Sequence, residues 1–481
     1  MEYTLNRNIY VVNIFIIILS VVLSFFFINQ NYLGIFFSLV AVFVIISLTY
    51  YDISIAIFLF MIPYSWALPL VGFFDLVDQK LSYLLCYIIF LVALFHKRRL
   101  LVRNIPIFYP YLLVLSVSAA SIVLSPNKLW SLKELIKMGY HFMVLVIVCD
   151  YVSQKGNLRL IKTTFFLATL SVAILGLLQY FFNITLFQPM KIDLTWDKTE
   201  ITYNTIDLNF LSEGGVWLKR IGAVYLSSPN QEANFLIIGF FLCLTELIYS
   251  GFVSWYFLGF LAISSSIILS ESRGAWLGIA AGLSLLVVFL SRTKKKSKIF
   301  VVCVAIGLIL LPLSFLISER LEGFQNESST LSHLTAWEAG WGAIQESPII
   351  GKGLGAFQLG EVYSSYIQSY GDHPEFVSGA ENYKHLLLHN YFLQAWAETG
   401  LLGLGAWLWM IAVFFKKTWG FLRNGNPSQY AHRLCLAFFL SAIAMLVQNF
   451  TINFFAIELW TVLAVALGIV IRPSCGQGNL A

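Results

Sequence analysis

The sequence predicts an all-α polytopic membrane protein of about 12–14 transmembrane helices with one long polar loop. Three observations carry this. Hydrophobic residues make up 59% of the 481-residue chain and charged ones 11%, at a mean hydropathy of +0.79. So few charges cannot clothe a water-facing surface. Apolar runs of roughly bilayer length, about 20 residues, recur from end to end. Lysine and arginine gather in short segments that fall on one side of those runs.

The apolar runs lie near 9–28, 31–50, 53–72, 81–96, 106–125, 130–152, 161–183, 232–250, 253–271, 274–291, 298–317, 389–415, 432–449 and 451–471. That is 14 spans, or 12 if two prove re-entrant or peripheral. The first run is longer than a signal-peptide core and no small-residue cleavage site follows it, so it reads as an uncleaved span. Six cysteines are scattered without a C-x-x-C pair, which points to neither a disulfide framework nor a zinc site. By region, 1–204 reads as N-terminal spans. Residues 205–471 form a second membrane region that includes the polar loop 318–388, and 472–481 form a tail.

Orientation follows from the basic residues. With the N-terminus inside, the inner segments hold Arg7; Lys97, Arg98, Arg99 and Arg103; Lys155, Arg159 and Lys162; Arg292, Lys294, Lys295, Lys296 and Lys298; Lys416, Lys417, Arg423 and Arg433; and Arg472. These are 18 of the 30 basic residues, as the positive-inside rule requires. The net charge of +5 is thus a topology signal, and membrane lipid rather than nucleic acid is the expected partner. Two long polar segments, 184–231 and 318–388, fall on the outer face. Within the second, 336–344 has apolar residues at helical spacing. There Trp337 and Trp341 read as interface packing rather than sugar platforms. Pro348-Ile-Ile-Gly351-Lys-Gly353-Leu-Gly355 ends that helix.

Three charged positions stand at outer span mouths. Arg220 lies in Lys219-Arg220-Ile-Gly222, upstream of Pro229-Asn230. Arg273 lies in Ser270-Glu271-Ser272-Arg273-Gly274, a hairpin too short for its arginine to leave the membrane border. His389 opens His389-Asn390-Tyr391. A guanidinium forks two donors onto phosphate oxygens, so two at one interface suit a pyrophosphate whose lipid tail lies in the bilayer. A nearby histidine suits general-base work on a hydroxyl. A plainer role stands beside each. Arg273 can anchor its span, Arg220 can form a solvated pair with Lys219, and His389 can cap its helix. Glu398 reads as an intramembrane acid, a type of residue that is functional by default unless it only neutralises an inner arginine. Glu246 and Glu458 raise the same question.

The ordered set Arg-x-Gly…Pro-Asn, Ser-Arg-Gly-Ala, Pro-Ile-Ile-Gly-Lys-Gly-Leu-Gly and His-Asn-Tyr…Glu-x-Gly-Leu-Leu-Gly resembles the O-antigen ligase and Wzy-type polymerase family, bacterial membrane glycosyltransferases of GT-C-like character. The resemblance covers about 205–471. It implies Arg220 and Arg273 at a pyrophosphate and His389 as the catalytic residue. Asn230, Asn390, Tyr391 and Glu398 are secondary positions, and no metal or other cofactor is implied. The implied donor is a glycan on polyprenyl pyrophosphate. The implied acceptor is lipid A–core, another glycan or a protein, met on the periplasmic face of the bacterial inner membrane. Many relatives carry an arginine shortly before the loop tryptophan, where this chain has His333. The rival class is a lipid-linked oligosaccharide flippase. Against it, the polar residues lie on one face rather than at the midplane of paired halves.

The orientation is testable. A reporter fused after Gln345 should read as periplasmic and one fused after Lys295 as cytoplasmic; the reverse pair would invert the topology and remove the outer-face site.

Overall fold

A computed structural model describes residues 32–66, 81–97, 104–154, 156–182, 190–194, 199–203, 229–250, 254–291, 328–358, 388–426, 429–451 and 457–472. The runs near 9–28 and 298–317, and Arg220, lie outside them. The other 12 apolar runs each contain a helix: α1 (Tyr32–Thr49), α2 (Tyr51–Met61), α3 (Leu81–Val92), α4 (Phe108–Ser121), α5 (Lys128–Ser153), α6 (Leu158–Phe182), α7 (Pro229–Ser250), α8 (Ser254–Leu269), α9 (Arg273–Ser291), α11 (Tyr391–Asn424), α12 (Tyr430–Gln448) and α13 (Ile457–Ile471). Between α9 and α11 lies α10 (Ser328–Glu346), longer than the 336–344 stretch of the sequence pattern.

Six of these, α5, α6, α7, α9, α11 and α12, are long and apolar enough to cross a membrane; the remaining six apolar helices are shorter. The protein is an all-α multi-pass membrane architecture. Its departure from helix among the described residues is an antiparallel hairpin, β1 (Met190–Leu194) with β2 (Thr199–Tyr203), in register Met190↔Tyr203 and Leu194↔Thr199. It lies in the polar segment between α6 and α7, which the sequence reading left as loop.

The centre of the bundle is α13, buried at every position from Ile457 to Ile469. A helix that is apolar all round needs neighbours all round. Here α5, α11 and α12 supply them. Beside it, α7 packs on α8, α12 and α6, and α9 packs on α12. The α9–α12 approach is close because Gly274 and Gly278 face it. A Cβ on Gly278 would stand 2.2 Å from the Ala444 carbonyl oxygen, and one on Gly274 would stand 2.0 Å from Thr451 Oγ1. Small residues at four-residue spacing allow such backbone contact in a membrane. An aromatic hub ties α4, α5, α11 and α13 together. Tyr111 meets Trp460 edge-on at 4.7 Å and stacks on Phe142 at 5.2 Å, and Trp407 meets Trp460 at 5.7 Å.

One end of the bundle is marked by Lys162, which pairs with Glu246 at 3.3 Å and lies over the Tyr256 and Tyr430 rings. Arg472 donates to the Gly156 carbonyl nearby. These are the helix ends that the positive-inside reading places at the inner face.

The structure differs from the sequence reading most at α11. The run 389–415 reads as one span, but Gly400 has φ 68° and ψ −172°, which breaks the helix. A break orphans backbone groups, and inside a membrane protein each must find a partner. The Pro348–Gly355 loop supplies them. Lys352 N donates to the Ala397 carbonyl and Gly353 N to the Glu398 carbonyl, each at 2.9 Å. In return Leu401 N donates to the Pro348 carbonyl at 2.9 Å and Leu402 N to the Ile349 carbonyl at 3.5 Å. On its far side the loop is pinned to the α4–α5 turn, where Leu354 N donates to Ser121 Oγ and Ser131 Oγ donates to the Leu354 carbonyl. Gly351, Gly353 and Gly355 all have positive φ, which is why glycine recurs there.

Gly353 tests the clamp. Its φ is +106°, and a Cβ would lie 2.5 Å from Ser125 N. Gly353→Ala should lower the thermal midpoint in detergent, with about 1–3 kcal/mol coming from backbone strain alone. Gly405→Ala, where nothing lies within 4 Å, should be neutral or stabilise by about 0.5–1 kcal/mol. Equal midpoints for the two variants would mean that the loop is not clamped.

Candidate functional site

The segments singled out by sequence meet around the C-terminal end of α12, which the sequence reading passed over. Gln448 is fully buried. Its Nε2 donates to the Asn230 carbonyl at 2.8 Å and reaches Ser272 Oγ at 3.4 Å. The next residue, Asn449, offers its carbonyl to Tyr391 N at 3.0 Å. Thr451 abuts Gly274. One short stretch therefore holds the start of α7, the start of α9 and the start of α11. The signal for it was the amide pair Gln448-Asn449 closing an apolar run. The side-chain nitrogens of both are bonded, Asn449 Nδ2 to the Met445 carbonyl at 2.9 Å, while Gln448 Oε1 and Asn449 Oδ1 are buried with no partner among the described residues.

Arg273 is the first residue of α9, and it is exposed. The preceding turn is three residues, Ser270 to Ser272, with Glu271 at φ 52°. Trp276 secures it by donating Nε1 to the Ile267 carbonyl at 3.2 Å. The guanidinium is thus set at the bundle edge, as the short hairpin required. Arg220 lies outside the described residues, so no geometry attaches to the expected arginine pair.

His389 is partly buried and has φ 49°. Left-handed backbone in a non-glycine residue costs energy and collects at working sites. Asn390 follows as the N-cap of α11, its Oδ1 accepting from Leu393 N at 3.1 Å. Tyr391 turns inward, edge-on to Trp407 at 5.3 Å. It anchors the triplet to the aromatic hub. His373 and His385 fall outside the described residues, and the side chain of His333 does as well.

Glu398 is buried, and its carboxylate accepts from Gly355 N at 2.9 Å and from Gln394 Nε2 at 2.9 Å. Both partners are neutral donors, and both bind the loop to the helix. Glu246 pairs with Lys162 at the other end of the bundle. Glu458 is buried in the first turn of α13.

What the fold and site define is a multi-pass helical membrane protein with a polar site built at one end of its bundle, where a basic residue and a histidine open two neighbouring helices. Residues 258–408 match the family model described as O-Antigen ligase. That segment contains Arg273, the Pro348–Gly355 loop, His389 and Glu398; Arg220, Asn230 and Gln448 lie outside it. The match agrees with the resemblance read from the motifs and supports a glycan-transferring membrane enzyme. No curated protein matches the chain.

Proposed function

We propose that the protein transfers a glycan from polyprenyl pyrophosphate to an acceptor hydroxyl at the periplasmic face of the bacterial inner membrane, as a ligase or a polymerase of surface polysaccharide. The observation that carries this reading is the gathering of the Arg273 and His389 segments around Gln448 and Asn449 at one end of the bundle.

The proposed step is a displacement at the anomeric carbon of the first donor sugar. The bond from that carbon to the pyrophosphate oxygen breaks, and the oxygen leaves with the electron pair. The acceptor oxygen forms the new glycosidic bond, and its proton passes to His389. Negative charge grows on the departing pyrophosphate, and donors already fixed in place stabilise it most. Arg273 and Arg220 are assigned that role. His389 directly precedes Asn390, the α11 N-cap bonded to Leu393 N, a placement that suits a base that must meet one hydroxyl.

Purified protein with a lipid-linked glycan and an acceptor should give product without an ion gradient, an outcome a flippase would not produce. In this assay Arg273→Lys and Arg220→Lys should lose most activity while still inserting and folding, because lysine keeps the charge but not the planar fork. Near-normal activity in either would make that residue an anchor only. His389→Ala should lower single-turnover transfer by ~10²–10⁴ with donor affinity largely kept, and His389→Gln should be nearly as slow. A His389→Gln enzyme close to normal rate would remove the general base.

Metal independence is tested in the same assay. Transfer should survive EDTA; loss with EDTA and recovery with a divalent cation would overturn the arginine-only account.

A further inference from the structure

The helix α10 presents two faces. Ala336, Ala339, Ala343 and Ile344 are buried, packed with Phe357, Leu388 and Ala397. The seat is tight, since a Cβ on Gly340 would stand 2.8 Å from Leu388 Cδ1. Trp337 and Trp341, one turn apart, take no part in that seat and remain 37% and 49% exposed. They line an open groove of about 580 Å³ together with Glu338, Asn390 and Leu393. That volume is in the range of small-molecule sites, about 300–1,000 Å³.

Packing alone does not call for large aromatic rings at an open groove. Nor is Trp341 left loose. It meets Trp396 edge-on at 5.9 Å and 90°, and Trp396 Nε1 donates to the Pro348 carbonyl at 3.0 Å. The ring is thus positioned by the same loop that seals the α11 break, and a pre-set surface costs less to bind on. The polar groups sharing the groove narrow the occupant. Glu338 offers a carboxylate acceptor. Asn390 has its Oδ1 committed to the Leu393 amide, so Nδ2 is its remaining donor. An acyl chain laid in the groove would cover both without satisfying either. A pyranose ring would satisfy them, because its C–H face lies flat on an indole while its hydroxyls turn to the amide and the carboxylate. Aromatic rings are amphipathic, rigid contact surfaces that lose little entropy on binding. Asn390 is next in chain to His389, so a sugar held here ends beside the proposed base.

We propose that the groove formed by Trp337, Trp341 and Asn390 is a pyranose-binding subsite that holds the acceptor glycan. The assignment to the acceptor side rests on the function proposed above; the sugar site itself does not. The test uses the full chain in nanodiscs of phosphatidylethanolamine and phosphatidylglycerol. The probe is the water-soluble oligosaccharide fraction freed by mild acid from the surface glycolipids of the cells that make this protein. Binding is read by saturation-transfer NMR. The wild type should bind saturably. Trp341→Ala and Trp337→Ala should each weaken binding on the order of tenfold, while the phenylalanine variants should keep most of it, which separates a lost platform from a lost fold.

Absence of saturable binding by the wild type, or unchanged binding in both alanine variants, would overturn the subsite. So would quenching of the Trp337 and Trp341 emission by brominated acyl chains, which would put the rings in lipid. Where transfer is measurable, the alanine variants should raise the acceptor KM and leave the donor KM unchanged. Transfer with an unchanged acceptor KM would remove the subsite and leave the function standing; groove-dependent sugar binding without any transfer would do the opposite.

Discussion

Four backbone hydrogen bonds between Pro348–Gly353 and Ala397–Leu402 hold the arrangement on which the site depends. Breaking α11 at Gly400 leaves two carbonyls and two amides without helical partners. The loop supplies two amides and two carbonyls in return, so neither segment is satisfied without the other. The Glu398 carboxylate adds a bond to Gly355 N. The same loop reaches Ser121 and Ser131 on the α4–α5 turn, and through Trp396 it reaches α10. The first turns of α11, with His389 before them, are therefore fixed relative to α4, α5 and α10 by bonds that low dielectric makes costly to lose.

A second constraint acts from the opposite side. Gln448 and Asn449 close α12 and hold the starts of α7, α9 and α11 by main-chain atoms and one serine hydroxyl. The clamp sets how far the His389 segment stands from α10, and the amide pair sets how far it stands from Arg273. The transfer proposed above, which must align an anomeric carbon, a leaving oxygen and an attacking oxygen, would gain from such fixed spacing.

Much of this was legible in the chain. The apolar runs gave the helices because length and hydropathy alone decide a span. The Gly-rich Pro348–Gly355 stretch gave a helix end, and Ser270–Gly274 gave a tight turn at the bundle border. What stayed hidden needed partners distant in sequence. Glu398-Thr-Gly400-Leu-Leu-Gly403 has the pattern of an ordinary helix, since a single glycine inside an apolar run is tolerated; the break exists because a loop some fifty residues upstream completes it. Gln448 falls inside the apolar run 432–449 and drew no notice there, because its three-way role depends on which helices surround it. Glu398 was legible as a buried acid, but its neutral partners, Gly355 and Gln394, were not. The hairpin at 190–203 has strand-like alternation that charge and position masked.

Phe357 and Leu388 sit in the same small apolar cluster beneath α10. The intervening chain, residues 359–387, therefore leaves and returns at two points already joined by packing. Closing a loop between joined points becomes costlier only slowly with length, by about 0.6 kcal/mol for each doubling. The architecture thus joins the two roots of this loop, Phe357 and Leu388, through one packed cluster, so the seat of α10 and the start of α11 share a single apolar support.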